Sequence, residues 1–267
     1  MTPLLSRVVV ALVALPPVLL AVWLGGWWLL ALCLGAALVA VHEFSVLTRP
    51  LRPIVLAAYL GAAAMLVGAA VGGLPWLLGG FLVTPVAAFV LHGLAPSRQP
   101  ATVAIGTTVL GTAWIGFGLG HALLLRDLSP EGFLTLLTVL LTIFAADTFA
   151  YFAGRLFGRH KLAPTISPGK TWEGFVVGTL AAVGGAFFAL YEERETYLTI
   201  PQALLLGGVV ALAGALGDLF ESALKRDMQV KDTGRLLSGH GGVLDRVDSL
   251  LFALPAAFFL LRAFGYG

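Results

Sequence analysis

The chain has 267 residues, of which 59% are hydrophobic and 11% are charged, and its mean hydropathy is +0.96. Soluble domains carry about 25% charged residues, so this composition indicates a protein that is surrounded by lipid. The net charge of +2 comes from basic residues in short loops between apolar runs, which excludes the basic face of a soluble nucleic-acid-binding protein. The single cysteine, Cys33, excludes an intramolecular disulfide and a cysteine metal site.

Nine apolar runs are predicted to be transmembrane helices, since a helix needs roughly 20 apolar residues to cross a bilayer. The first run contains Arg7, and the apolar stretch after this residue also fits a signal peptide, but the many later runs favour a retained helix. Pro16 and Pro17 predict a kink in it. In order, the runs are 5–24, 26–43, 53–71, 74–94, 102–125, 132–153, 174–191, 200–219 and 249–265. The predicted fold is therefore an all-α polytopic membrane bundle of about nine transmembrane helices.

The distribution of basic residues predicts the orientation of this bundle. If the N-terminus is cytoplasmic, thirteen of the sixteen Lys and Arg residues lie on the cytoplasmic side and three on the other. Such an excess follows the positive-inside rule. We therefore expect a multi-pass protein of the cell inner (plasma) membrane with a cytoplasmic N-terminus.

The two halves of the chain differ in chemistry. Residues 1–135 are expected to be transmembrane helices for packing and a possible dimer interface, because they are rich in Gly and Ala and poor in charge. Residues 136–267 hold nearly all the remaining charge, concentrated in the predicted loops 154–173 and 220–248. This second half is the predicted catalytic region, with its active site facing the cytoplasm.

The segment from Asp218 to Ser249 combines clustered acids, clustered bases and a Gly-rich turn. The acids are candidate Mg²⁺ ligands, the bases are candidate phosphate ligands, and the glycine amides could approach an anion closely. A loop that only anchors topology would need neither paired acids nor such a turn. Two groups share helix faces by their spacing: Asp218, Glu221, Ser222 and Lys225, and then Asp245, Asp248 and Ser249.

A second constellation runs from Ser167 to Gly174. Lys170 and Thr171 could bind phosphate, and Glu173 lies just before an apolar run. The alternative is a capping role, in which Thr171 or Ser167 opens the next helix. These residue types alone leave both interpretations open.

Two further residues stand apart from these groups. Asp147 lies inside a predicted span, where an acid indicates a metal or polar partner, or else a hydrogen bond between helices. His240 lies between glycines and could donate a proton or bind phosphate; we favour phosphate binding.

The segment from Ser222 to Asp248 resembles the signature of the phosphatidate cytidylyltransferase family, also called CDP-diacylglycerol synthases. The stretch from Ser167 to Gly174 and the region of Asp147 also look like this family, so the resemblance covers at least the C-terminal half. All fixed positions of the signature match: Ser222, Lys225, Arg226, Lys231, Asp232, Gly234, His240, Gly241, Gly242, Asp245, Arg246 and Asp248.

The resemblance implies a reaction, a cofactor and an assembly. CTP and phosphatidate would give CDP-diacylglycerol and pyrophosphate, with Mg²⁺ as the cofactor and a homodimer as the assembly. It implies metal binding by Asp218 and Asp245, with Asp147 and Asp248 as additional candidates. The catalytic set is then Asp218, Asp245, Lys225, Arg226 and Asp248, and the substrate-binding set is Lys170, Thr171, Ser222, Lys231, Asp232, His240, Gly241, Gly242 and Arg246.

Two alternatives remain open at this point. A related enzyme could use CTP with another lipid phosphate or a polyprenol. A membrane transporter or channel could instead use Asp147 and Asp218 along an ion path.

Overall fold

The computed structural model describes residues 15–94, 100–128, 131–193, 195–230, 233 and 241–266. Helices dominate, as predicted, and a short two-stranded sheet lies between two of them. In chain order the elements are α1 (Leu15–Leu24), α2 (Gly26–Leu47), a 3₁₀ turn (Arg49–Leu51), α3 (Val55–Leu94), α4 (Ala101–Arg126), α5 (Gly132–Phe157), β1 (Lys161–Ala163), β2 (Ser167–Thr171), α6 (Trp172–Leu190), α7 (Ile200–Asp227) and α8 (Leu244–Ala263).

Six of the helices in the described ranges are long and apolar enough to cross a membrane. α1 is apolar but shorter. α8 has 20 residues but carries Asp245, Arg246 and Asp248 in its first turns. The multi-pass character of the chain is therefore supported, while the count of nine crossings and their orientation stay predictions. The six are α2, α3, α4, α5, α6 and α7.

α3 consists of two arms that fold back on each other. The chain turns at Gly73, whose φ of 68° is readily adopted only by a residue without a side chain. A Cβ added at Gly68 would overlap the backbone of Trp76, and one added at Gly80 would overlap the backbone of Ala64. These pairings place the arms antiparallel. The two consecutive apolar runs predicted here are therefore two packed helices joined by a tight turn.

The chain forms two compact units. The first contains residues 1–124 and 228–247, and the second contains residues 125–227 and 248–267. In the first unit, α2, α3 and α4 supply a core of large side chains, including the fully buried Met65, Leu66, Leu77 and Ile115.

In the second unit, α5, α6 and α7 pack closely through small residues. A Cβ added at Gly178 on α6 would lie 2.7 Å from the backbone oxygen of Ala146 and 2.8 Å from the Cβ of Ala150, both on α5. On α7, a Cβ added at Gly207 would lie 2.7 Å from the Cα of Val183. Contacts of this type are typical of membrane helices, where small residues allow backbones to approach. They fix the positions of the polar side chains near the helix ends.

The predicted loop 154–173 is more ordered than expected. α5 extends to Phe157, and the antiparallel hairpin of β1 and β2 follows, with Lys161 opposite Thr171. The backbone N–H of Trp172 then donates to the carbonyl of His160 at 2.9 Å. The strands have three and five residues, which is too short for an alternating pattern to indicate them in the sequence.

Candidate functional site

The end of α7 carries the acid and base stripe that the spacing predicted. The helix continues to Asp227, so residues four apart share one face. The hydroxyl of Ser222 donates to Asp218 Oδ1 at 3.3 Å, and Lys225 Nζ donates to Glu221 Oε2 at 2.5 Å. The predicted clustering of these four side chains is confirmed.

Lys170 on β2 joins this stripe from another part of the chain. Its Nζ lies 2.8 Å from Asp218 Oδ2, and it also donates to the carbonyl of Ala215 at 3.4 Å. The Lys170 and Asp218 side chains are 22% and 35% exposed, so the ion pair is only partly shielded from solvent. The β-hairpin therefore places a cation directly against a predicted metal ligand.

Two more acids belong to the same unit. Asp147 on α5 interacts electrostatically with Asp218 and with Lys170. Asp248 on α8 is buried and interacts electrostatically with Asp218 and Glu221. Four carboxyl groups from three helices are thus concentrated around two lysines. Like charges in one region repel one another, and the lysines partly offset this repulsion.

A small cleft of about 40 Å³ opens beside Asp147 between α5, α6 and α7. Asp147 is exposed at its wall, and the remaining lining is largely apolar and small. The predicted metal or polar role of Asp147 therefore stays a prediction. The lining of the cleft includes Ala146, Ala150, Gly178, Gly214 and Ala215.

Capping interactions hold the β-hairpin that carries Lys170. Thr171 is the N-cap of α6, and its hydroxyl accepts a hydrogen bond from the N–H of Gly174 at 3.2 Å, which is the capping alternative that the sequence left open. The Glu173 carboxylate accepts from the backbone N–H of Arg159 at 3.1 Å and from His160 Nδ1 at 2.6 Å. Thr171 is buried, so phosphate binding by its side chain stays a prediction.

Arg226 also holds this hairpin. Its Nε donates to the carbonyl of Ile166 at 3.2 Å, at the tip between the two strands. The predicted phosphate-binding role of Arg226 is untested by this contact, because a guanidinium has further N–H groups to donate.

Asp245 occupies the first turn of α8 in the other unit. Its Oδ2 accepts hydrogen bonds from Thr233 N at 3.2 Å, Thr233 Oγ1 at 2.8 Å and Gly242 N at 2.7 Å. Gly241 has a φ of 76°, and a Cβ there would lie 2.5 Å from Asp245 Oδ2. Gly241 and Gly242 thus lie against this carboxylate and constrain its orientation.

Glu43 is a buried acid that sequence reasoning left out of the site. It is 2% exposed on α2, and its two carboxylate oxygens accept from the backbone N–H groups of Val243 at 3.1 Å and Leu244 at 2.8 Å. The available signal was an acid inside an apolar run, which is costly unless it has partners.

The acids fit Mg²⁺ by ligand type, because Mg²⁺ prefers carboxylates together with substrate phosphates. Within the described ranges, no group of three or more His, Cys, Asp or Glu side chains has the spacing of a metal site.

Lys231, Asp232, Gly234 and His240 lie outside the described residues, so the site predictions that fall on them stay predictions.

A sequence model of the cytidylyltransferase family matches residues 5–264. The chain belongs to this family. The match includes both units and all the acids described above, namely Glu43, Asp147, Asp218, Glu221, Asp245 and Asp248. The family membership thus extends the resemblance, first noted on the C-terminal half, to nearly the whole chain.

Curated relatives agree with the family model. The phosphatidate cytidylyltransferase of Pseudomonas aeruginosa is 36% identical over 98% of this chain and 98% of its own length. The enzyme of the same name from Bacillus subtilis is 41% identical over 60% of this chain and 59% of its own, and that from Haemophilus influenzae is 44% identical over 47% and 44%. The chain thus matches only about half the length of the latter two relatives, but nearly all of the first.

Proposed function

We propose that the protein is a phosphatidate cytidylyltransferase, which makes CDP-diacylglycerol and pyrophosphate from CTP and phosphatidate in phospholipid biosynthesis. One observation carries the proposal: Lys170 and four carboxyl groups of α5, α7 and α8 interact within one unit of a chain of the cytidylyltransferase family. Carboxylates and a lysine at a membrane boundary can bind both a cation and the phosphates of a nucleotide and a lipid.

The reaction needs no group that gains or loses electrons. An anionic oxygen of the phosphatidate phosphate attacks the α-phosphorus of CTP and forms a new P–O bond. The bond from the α-phosphorus to the bridging oxygen breaks, and pyrophosphate leaves with that electron pair. The nucleophile is already an anion, so the protein contributes mainly positioning and neutralisation of charge.

The basic residues would provide this neutralisation. Lys170, Lys225 and Arg226 lie in the unit that contains Asp218, and each carries a positive charge suited to phosphate oxygens. Lys231 and Arg246 of the signature are proposed to act in the same way. The predicted contribution of His240, Gly241 and Gly242 to substrate binding is part of the same proposal.

We propose Mg²⁺ as the cofactor, with Asp218 and Asp245 as ligands and with Asp147 and Asp248 as additional ligands. When bound, the ion would neutralise phosphate charge and help to orient the triphosphate. The repulsion among Asp147, Asp218, Glu221 and Asp248 supports a cation in this region.

The setting of the enzyme is also a proposal. We propose nine transmembrane helices in the inner (plasma) membrane, with the N-terminus and the active site on the cytoplasmic side, where CTP is available. The two arms of α3 support a count above six. A homodimer is proposed as the assembly, with the N-terminal half as the candidate interface.

The direct test measures pyrophosphate release by the full-length protein purified in detergent. Release is expected only when CTP, phosphatidate and Mg²⁺ are all present, and chelation of Mg²⁺ should abolish it. Asp218→Asn should lower turnover by about 100-fold or more, as expected for loss of a metal ligand or an electrostatic group at the site. Asp227→Asn is the matched control, because Asp227 is exposed on the same helix.

Other outcomes of this assay would support a different acceptor or a different class of protein. Turnover with a polyprenol phosphate or another lipid phosphate in place of phosphatidate would assign a different acceptor. Ligand-dependent flux in vesicles without pyrophosphate would indicate a transporter. Near-normal turnover by Asp218→Asn would reject the metal role of this residue.

A further inference from the structure

The α8 helix begins without a local capping residue. The N-terminal N–H groups of a helix have no partner inside the helix, and Ser, Thr, Asp or Asn at the N-cap normally accepts from them. Here α8 begins at Leu244, and the residue before it is Val243, whose side chain cannot accept a hydrogen bond. The acceptor must therefore be another residue or solvent.

Glu43 supplies this acceptor from 200 residues away. One carboxylate oxygen binds the N–H of Val243 and the other binds the N–H of Leu244. A carboxylate at this position also interacts favourably with the positive end of the helix dipole. Gly242 permits the approach, since a Cβ there would lie 2.5 Å from the Glu43 carboxyl carbon. Any larger residue at position 242 would displace the carboxylate.

The capped turn is the one that carries Asp245. Gly242 N donates to Asp245 Oδ2, so the backbone held by Glu43 is the same backbone that orients the Asp245 carboxylate. Both residues belong to one compact unit. A chain of hydrogen bonds therefore connects Glu43 on α2 in the N-terminal half to Asp245 of the family signature.

We propose that Glu43 is a positioning residue for cytidylyl transfer, which fixes the first turn of α8 and thereby the orientation of Asp245. This inference rests on the proposed function. Loss of the Glu43 carboxylate should release the Val243 and Leu244 amides and let Asp245 rotate. Residues that orient ligating carboxylates typically affect activity by about 10-fold to 100-fold when removed.

The test compares Glu43→Ala and Glu43→Gln with the wild-type protein, all as full-length chains in detergent. Amide hydrogen exchange should accelerate in a peptide covering 241–248 and stay unchanged in peptides from α5 and α6. The kcat for CTP and phosphatidate should fall by about 10-fold to 100-fold in Glu43→Ala, and the KM for CTP should change much less. Glu43→Gln keeps one acceptor oxygen and should give an intermediate kcat.

A coupled substitution tests the contact itself. Gly242→Ala should lower kcat in the wild-type background, because its methyl group displaces the Glu43 carboxylate. In the Glu43→Ala background the same substitution has room and should cause little further loss. His42→Ala is the matched control on α2, because His42 is exposed and its ring forms a hydrogen bond with Tyr59.

Three results would overturn the inference. The first is a kcat within about twofold of wild type in both Glu43 variants. The second is faster exchange spread over α2, α3 and α4 in Glu43→Gln, which would indicate a general loss of structure. The third is full additivity of the Glu43 and Gly242 substitutions. If the wild-type protein released no pyrophosphate, the proposed function would fail, and the exchange data would still decide whether Glu43 holds the turn.

Discussion

Replacement of Lys170 by Met tests the ion pair at the centre of the acid cluster. Methionine keeps an unbranched side chain of similar length but removes the positive charge. The substitution would leave Asp218 without the Nζ that lies 2.8 Å from its Oδ2, and Asp147 without a nearby cation. The two acids would then repel each other with less compensation.

The size of the effect follows from the partial burial of the pair. At 2.8 Å and an effective dielectric constant of about 20, the direct attraction is about 6 kcal/mol. Desolvation of both charges offsets most of this, and partly exposed pairs retain much less than buried ones. We expect a net loss of about 1–3 kcal/mol in the free energy of unfolding. Loss of a charge that would face a phosphate should lower kcat by about 100-fold.

The assay combines pyrophosphate release with denaturant titration of the purified protein in detergent. Lys161→Met is the matched control, because Lys161 lies on the other strand of the same hairpin and is exposed. It should keep activity and stability near those of the wild type. In the double variant Lys170→Met with Asp218→Asn, the losses in stability should be less than additive, since both substitutions remove the same interaction.

The reasoning would be refuted by a Lys170→Met protein whose kcat lies within about threefold of wild type, or by strictly additive losses of stability in the double variant. Either result would mean that the 2.8 Å contact contributes little to the site.

Two further predictions concern close packing and the α3 turn. Gly178→Ala should destabilise the protein by about 1–3 kcal/mol, because its methyl group would meet Ala146 and Ala150. Gly184→Ala is the control on the same helix, because a methyl group there has open space and should leave stability unchanged. Equal denaturation midpoints for the two variants would contradict the packing argument. Gly73→Ala should lower the free energy of unfolding by about 1–2 kcal/mol, because a side chain is disfavoured at a φ of 68°. Gly79→Ala is the control and should leave this free energy unchanged in the same titration. An unchanged denaturation midpoint for Gly73→Ala would contradict the turn at this residue.

The parts of the fold that depend on local pattern could be predicted from the sequence. The break between the apolar runs 53–71 and 74–94 coincides with the turn at Gly73. The steps of three and four residues from Asp218 to Lys225 predicted one helix face, and two hydrogen bonds confirm it. Both features arise from neighbours in sequence, where helical periodicity applies directly.

The parts that depend on distant residues could not be predicted. Lys170 meets Asp218 only because a five-residue strand and a helix cap hold it there. Glu43 binds the N–H groups of Val243 and Leu244, which are 200 residues away in the sequence. A single acid in an apolar run does not indicate which residues it will contact. Hydropathy and spacing contain no information about such pairings, which are determined by the packing of helices.

The Glu43 contact also bears on where the phosphates bind. The N-terminus of a helix is a ready anion site, because its N–H groups and its dipole both favour negative charge. At the start of α8 this site is taken by the protein itself: Val243 N and Leu244 N bind Glu43, and Gly242 N binds Asp245. A phosphate would have to displace a buried carboxylate to use those amides. These three amides are therefore already occupied, which supports the proposal that lysine and arginine side chains bind the triphosphate.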